Sequence, residues 1–186
     1  MKLKIFKFFI SIFTLHIFLL NSPSYAETSW ITKKNKNQIN KDEKCSTNLS
    51  IETINLKSDY FIDNKDYKNA FLCAVIGSEK NNGYAIANLG WHYQTGKGIK
   101  KDYKKANKFF KKGIKKNNLY SYNRLAISFI NGWGVPKNLK KAISLFKEAA
   151  DKGDDFAQAN LAYLYEFGEG VEKDIYKAIE YYSLSA

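Results

Sequence analysis

Side chains able to do covalent or acid-base chemistry are few in this chain. Beyond the first 26 residues there is one histidine, His92, and there are two cysteines, Cys45 and Cys73. A single imidazole supports neither a multi-histidine metal site nor a histidine acid-base pair. The cysteine spacing fits no zinc motif, so no metal and no cofactor are expected. One nucleophile pattern is present. Ser144-Leu145-Phe146-Lys147 reads S-x-x-K and Ser121-Tyr122-Asn123 reads S-x-N, the residue types of serine hydrolases that open β-lactams. In that chemistry the S-x-x-K element precedes S-x-N and a K-T-G element completes the set; here the order is reversed and K-T-G is missing. Phosphate-cradling loops, dinucleotide glycine patterns and nucleophile elbows are absent from the sequence too, and no catalytic residue is expected.

Both serine motifs fall inside a larger regularity that accounts for them. Shifting the sequence against itself by 36 residues aligns Leu89, Gly96, Gly98, Ile99, Asp102 and Ala106 with Leu125, Gly132, Gly134, Val135, Asn138 and Ala142, and these with Leu161, Gly168, Gly170, Val171, Asp174 and Ala178. Agreement at one fixed period is the mark of a protein stacked in one dimension. Two glycines one residue apart suit a chain leaving a helix through positive φ, where a Cβ would clash. The Asp or Asn that follows is the residue type that caps a new helix. After it, Ala106 with Phe109 and Phe110, Ala142 with Leu145 and Phe146, and Ala178 with Tyr181 and Tyr182 put an apolar stripe on one helix face. Before the glycines the stripe recurs at Ala85, Leu89 and Tyr93, with Gly90, Ala126 and Ala162 small enough for close helix approach. Each unit is therefore a helix hairpin, with helices near 84–95 and 103–116, 119–131 and 138–151, and 155–167 and 175–186.

The pattern A-x3-L-[GA]-x2-[YF]-x2-G-x-G-[VI]-x2-[DN]-x3-A resembles the Sel-1-like repeat, a relative of the tetratricopeptide repeat. The resemblance covers repeats at 84–118, 119–154 and 155–186. A degenerate tetratricopeptide-like unit at 48–83 precedes them, since Asp66, Tyr67 and Ala70 keep the register of Asp102, Tyr103 and Ala106 without the glycines. The resemblance implies an all-α fold, a right-handed α/α superhelical solenoid that serves as a protein interaction scaffold. Some cysteine-rich relatives have been associated with β-lactamase activity, which keeps that hydrolase as an alternative reading.

In such a solenoid the first helices of successive hairpins line the inner groove. Residues on them outside the stripe are then candidate partner contacts: Asn88, Trp91, His92 and Thr95; Arg124, Ile127, Ser128 and Asn131; Asn160, Tyr163, Leu164 and Phe167. This aromatic and amide mixture suits another protein or an extended peptide segment. Trp133, between loop glycines, is a further contact candidate if exposed. Ten lysines lie between Lys97 and Lys116 against one acid, Asp102, while nine acids follow from Glu148 onward. Most such runs are solvated helix faces. The functional alternative is a basic surface at Lys104, Lys108, Lys111 and Lys115 that meets an anionic envelope component, or a basic hairpin pairing with an acidic one. Nucleic acid is not expected, because the interleaved aromatics hold core positions.

Lys2, Lys4 and Lys7, the apolar run from Phe8 to Leu20 and Ser24-Tyr25-Ala26 read as a signal peptide over residues 1–26, too short to span a bilayer. Its removal lowers the formal charge from +12 to +9. A periplasmic or secreted protein without a membrane span is the expectation. Residues 27–47, rich in lysine and asparagine, read as a disordered tether in which Trp30 and Ile31 are docking candidates. In an oxidising compartment a pair such as Cys45 and Cys73 is more often a bridge than two thiols; the alternative is two unpaired cysteines with Cys73 buried. The last repeat carries no polar capping helix, so the expectation is either cover by a partner or a second copy, or a shortened member of the family.

Overall fold

The computed structural model describes residues 44–185, and the signal peptide and most of the tether, including Trp30 and Ile31, lie outside the described residues. Eight helices and no strand are found among the described residues: α1 (Ile51–Asp63), α2 (Tyr67–Glu79), α3 (Gly83–Thr95), α4 (Tyr103–Ile114), α5 (Leu119–Asn131), α6 (Leu139–Ala150), α7 (Asp155–Phe167) and α8 (Ile175–Leu184). Each is packed chiefly on the helices before and after it, which is an α/α solenoid of four hairpins.

Local chemistry sets every boundary. All eight helices begin at a Ser, Asp or Asn, namely Ser50, Asp66, Asn82, Asp102, Asn118, Asn138, Asp154 and Asp174, whose side chain accepts the amide N–H three residues on. The first helices α3, α5 and α7 end at Gly96, Gly132 and Gly168, with φ of 76°, 75° and 72°. Inside each hairpin one backbone bond recurs at the same register: Asp102 N–H to Tyr93 O, Asn138 N–H to Phe129 O and Asp174 N–H to Tyr165 O, at 2.8–2.9 Å. The second loop glycine joins neighbouring units. An added Cβ at Gly98 would stand 2.1 Å from Tyr67 O, and one at Gly134 2.7 Å from the Tyr103 carbonyl carbon. The glycines therefore serve stacking between repeats as much as turning within one.

Small residues let each hairpin close. A Cβ at Gly90 would stand 2.6 Å from Phe110 Cε1, so glycine admits that ring to the core. The next layer repeats as well: Tyr93 stacks on Phe109 at 5.6 Å and Tyr165 on Tyr181 at 5.8 Å, with Phe129 and Leu145 at the matching positions. Over these three rings lie the ammonium groups of Lys105, Lys141 and Lys177, at 5.4, 5.5 and 5.4 Å. One lysine per repeat is thus bound into the fold by a cation–π contact.

The degenerate unit is held differently. Its hairpin loop lacks glycine, so Lys65 adopts φ 60°, and Cys45 is bridged to Cys73 with Cα atoms 5.2 Å apart. Cys45 lies buried among Ile54, Phe61, Ala70 and Ile76. The end of the predicted tether, residues 44–47, is therefore part of the folded body at this point.

Candidate partner groove

Side chains link first helix to first helix along one side of the stack. Tyr84 of α3 donates to Asp59 Oδ1 of α1. Burial pushes the Tyr84 phenol far up, helped by the Asp59 charge and this hydrogen bond, so it remains a donor at any physiological pH. Arg124 of α5 reaches back to Gln94 of α3, donating to its Oε1 from Nε at 2.7 Å and from a terminal nitrogen, and its guanidinium lies 5.5 Å from the Tyr120 ring. Gln94 Nε2 donates to Ser128 Oγ at 3.3 Å. Between α5 and α7 the link is Asn123 Nδ2 to Asp154 Oδ1, at 2.7 Å.

The sequence-predicted contacts divide by repeat position. Asn88, Arg124 and Asn160 share one position and are all half-buried, as are Thr95 and Asn131. Phe167, the third copy of that last position, is exposed and packs against half-buried Tyr163 at 4.6 Å. Trp91 is half-buried as well, with Tyr67 6.2 Å away and the Lys97 ammonium 5.1 Å from its own ring. These residues form a surface.

His92, Ser128 and Leu164 do not. They occupy one repeat position, lie on the stripe of Leu89, Leu125 and Leu161, and are buried, which corrects the expectation that they meet a partner. Ile127 is buried too and belongs to the packing. The missed signal is helical spacing: residues 85, 89 and 92 follow i, i+4, i+7, the spacing of a buried face. His92 Nδ1 lies 2.7 Å from the Lys97 carbonyl, which can only accept, so Nδ1 carries the proton. Burial lowers its pKa to about 4. Trp133 is half-buried like Trp91, stacked on Tyr103 at 5.4 Å, and its carbonyl accepts from Asn107 at 2.6 Å.

The serine motifs are distributed in the same plain way. Ser121 is buried and donates to Asn118 Oδ1, and Asn123 is buried in the link to Asp154. Ser144 is on the surface, and Lys147 lies 5.9 Å from the Tyr165 ring. On α4, Lys104, Lys108, Lys111 and Lys115 are all exposed, and none of the four pairs with a carboxylate among the described residues. Their neighbours Lys101, Lys105 and Lys112 are held over aromatic rings instead. No group of three or more potential metal ligands, and no helix long and apolar enough to cross a membrane, occurs among the described residues.

This is an α/α solenoid whose side chains are arranged for stacking hairpin on hairpin. The Sel1 repeat model matches residues 83–118, 119–154 and 155–186, and the chain belongs to the Sel1 repeat family, a common protein interaction scaffold. Among solved structures it is similar to a Sel1 repeat protein from Oxalobacter formigenes, at 32% identity and a TM-score of 0.66, over 73% of this chain and 57% of that one. A protective antigen present in uropathogenic Escherichia coli strains shares the fold at 24% identity and a TM-score of 0.61, over 73% of this chain and 30% of its own. A Sel1 repeat protein from Klebsiella pneumoniae does so at 23% identity and 0.59, over 73% and 66%. The chain thus spans less than two thirds of each of these proteins. No curated protein matches it.

Proposed function

We propose that this protein is an exported adaptor that holds an extended, acidic segment of another protein along its first-helix side. Arg124 carries this reading. It is the only arginine in the chain, half-buried, and oriented by a neutral amide, Gln94, where a carboxylate would be the usual partner. No carboxylate pairs with it among the described residues. A planar cation fixed in this way, with its charge uncompensated, suits bidentate capture of an incoming carboxylate. Trp91 on one flank and Tyr163 with Phe167 on the other offer apolar anchors, and Asn131 and Asn160, each tied to its own helix through Nδ2, offer amide oxygens to a peptide backbone. Export is supported by the leader-like first 26 residues and by the Cys45–Cys73 bridge, which belongs in an oxidising compartment. The experiment is crosslinking and capture from the native compartment with wild type, Arg124→Lys and Trp91→Ala/Tyr163→Ala. Loss of the same acidic partner in both variants is expected, and equal capture by all three would remove the groove as the contact.

A second reading has its own observation. Lys104, Lys108 and Lys111 on α4 and Lys115 at its C-cap are exposed, with neither a carboxylate nor a ring to hold them among the described residues, as an anion-attracting surface would be. Binding to anionic vesicles that falls with salt and disappears when all four are replaced by Gln would establish it.

A further inference from the structure

A cleft of about 280 Å³ lies where the end of α2 meets α3 and the end of α4. Ile86 and Phe109 give it apolar walls, and Asn81, Lys112, Lys115 and Lys116 line it with polar ends. None of these three lysines donates a hydrogen bond from its ammonium or pairs with a carboxylate among the described residues. Lys112 alone is held, 5.5 Å from the Phe109 ring, which keeps its ammonium at the cleft wall. Within α2, α3 and α4 the one carboxylate is Glu79, and it does not line the cleft. Three cations therefore share a small space without compensation.

One period further along, the same positions satisfy each other. Asn81, Ile86, Lys112, Lys115 and Lys116 become Asn117, Tyr122, Glu148, Asp151 and Lys152. Lys152 donates to Tyr122 Oη at 2.9 Å and to Asn117 Oδ1 at 3.2 Å, and its ammonium lies 4.7 Å from the Tyr122 ring. Lys116 is the same residue type at the same position, but Ile86 has neither the hydroxyl nor the ring to receive it. Lysines after a helix C-terminus commonly offset its dipole. That role does not call for Lys112 and Lys115, because α6 ends with Glu148 and Asp151 at those positions. The first cleft thus departs from the repeat in one direction, toward unpartnered positive charge.

We propose that this cleft binds a phosphate monoester, borne by a small molecule or by a lipid headgroup. Such a group carries about −1.5 to −2 charges at neutral pH and three acceptor oxygens, which matches three ammonium groups. A carboxylate brings one charge and two oxygens in a plane, the geometry that an arginine fork suits better than lysine point charges do. Ile86 and Phe109 receive the organic end. The volume lies just under the roughly 300 Å³ at which small-molecule pockets begin, so it admits a headgroup and the first atoms attached to it. This assignment rests on neither functional reading above: Arg124 does not line the cleft, and Lys112 and Lys116 do not belong to the exposed lysine row, which shares only Lys115 with it.

Calorimetric titration with phenyl phosphate at low salt and neutral pH tests this directly. Saturable binding to wild type is expected, weakened at least about tenfold both in Lys112→Gln/Lys116→Gln and in Lys112→Glu/Lys115→Asp. Lys104→Gln/Lys108→Gln, away from the cleft, should bind as wild type does, and benzoate should bind wild type at least about tenfold more weakly than phenyl phosphate. All of these lysines are exposed, so circular dichroism and thermal unfolding should not change, which separates a lost site from a lost fold. Vesicles then identify the source. Better retention on phosphatidic acid than on phosphatidylglycerol vesicles, with the difference gone in Lys112→Gln/Lys116→Gln, assigns a lipid headgroup; phenyl phosphate binding without that difference assigns a soluble ester. Phenyl phosphate that does not saturate wild type, that binds Lys112→Gln/Lys116→Gln equally well, or that is lost equally in Lys104→Gln/Lys108→Gln overturns the proposal, as does benzoate binding of equal strength.

Discussion

A histidine without exposed surface folds as the neutral species, and His92 shows what that costs in acid. Its pKa falls from the ordinary 6.5 to about 4 because burial disfavours the imidazolium. Between those values the unfolded chain binds a proton that the folded chain does not, so stability is complete above pH 6.5 and declines as pH falls toward 4. The slope approaches 1.4 kcal/mol per pH unit, about 2 kcal/mol in all by pH 4.5. Urea denaturation at pH 7 and 4.5 should show this loss in wild type, and His92→Gln should lose correspondingly less over the same interval; parallel losses would mean the imidazole is not buried. The glycines allow an equally direct comparison. Gly134 and Gly153 both have positive φ, 68° and 80°, but a Cβ at Gly134 would meet the backbone at Tyr103 and Lys104, whereas one at Gly153 finds nothing within 4 Å. Gly153→Ala should cost about 1–2 kcal/mol for conformation alone, and Gly134→Ala measurably more in the same thermal melt. Equal costs would show that Gly134 turns the chain and does nothing between repeats.

At the scale of the helix pair, most of the architecture was legible and the reasons are local. Caps, loop glycines and small-then-bulky stripes are short-range chemistry, and all of them placed helices within one or two residues of where they lie. Groove and core were harder to separate at neighbouring positions. Trp91 and His92 are adjacent on one helix; the spacing from Ala85 and Leu89 puts the second on the buried face, where Phe71 packs 5.6 Å from its ring. Trp133, a contact candidate only if exposed, is half-buried, and its stacking partner, Tyr103, belongs to the preceding hairpin, 30 residues away. Within a pair, Leu125 is the test residue, buried with Ala106 and Phe110 against both its own hairpin and the one before. Leu125→Ala should cost roughly 2–5 kcal/mol in urea denaturation, and a change within error would place the stripe elsewhere.

The first and the last of the described hairpins are held in opposite ways. The first hairpin lacks the loop glycines that stitch later repeats together, but a bridge closing 28 residues of chain fastens it. Chain-entropy arguments assign such a bridge about 3–4 kcal/mol. The last hairpin has its glycines and no bridge, and α8 buries a single residue, Ala178. Because each repeat is stabilised only by its neighbours, opening should start at the end with the least buried surface and travel inward. Native-state hydrogen exchange is therefore expected to be fastest in α8, slowest across α4 and α5, and slow in α1 and α2 while the bridge is intact. A reductant should bring α1 and α2 to the rate of an ordinary end without changing α8. Exchange that is uniform along the chain, or that changes in α8 as much as in α1 and α2 on reduction, would mean the described hairpins open as one body.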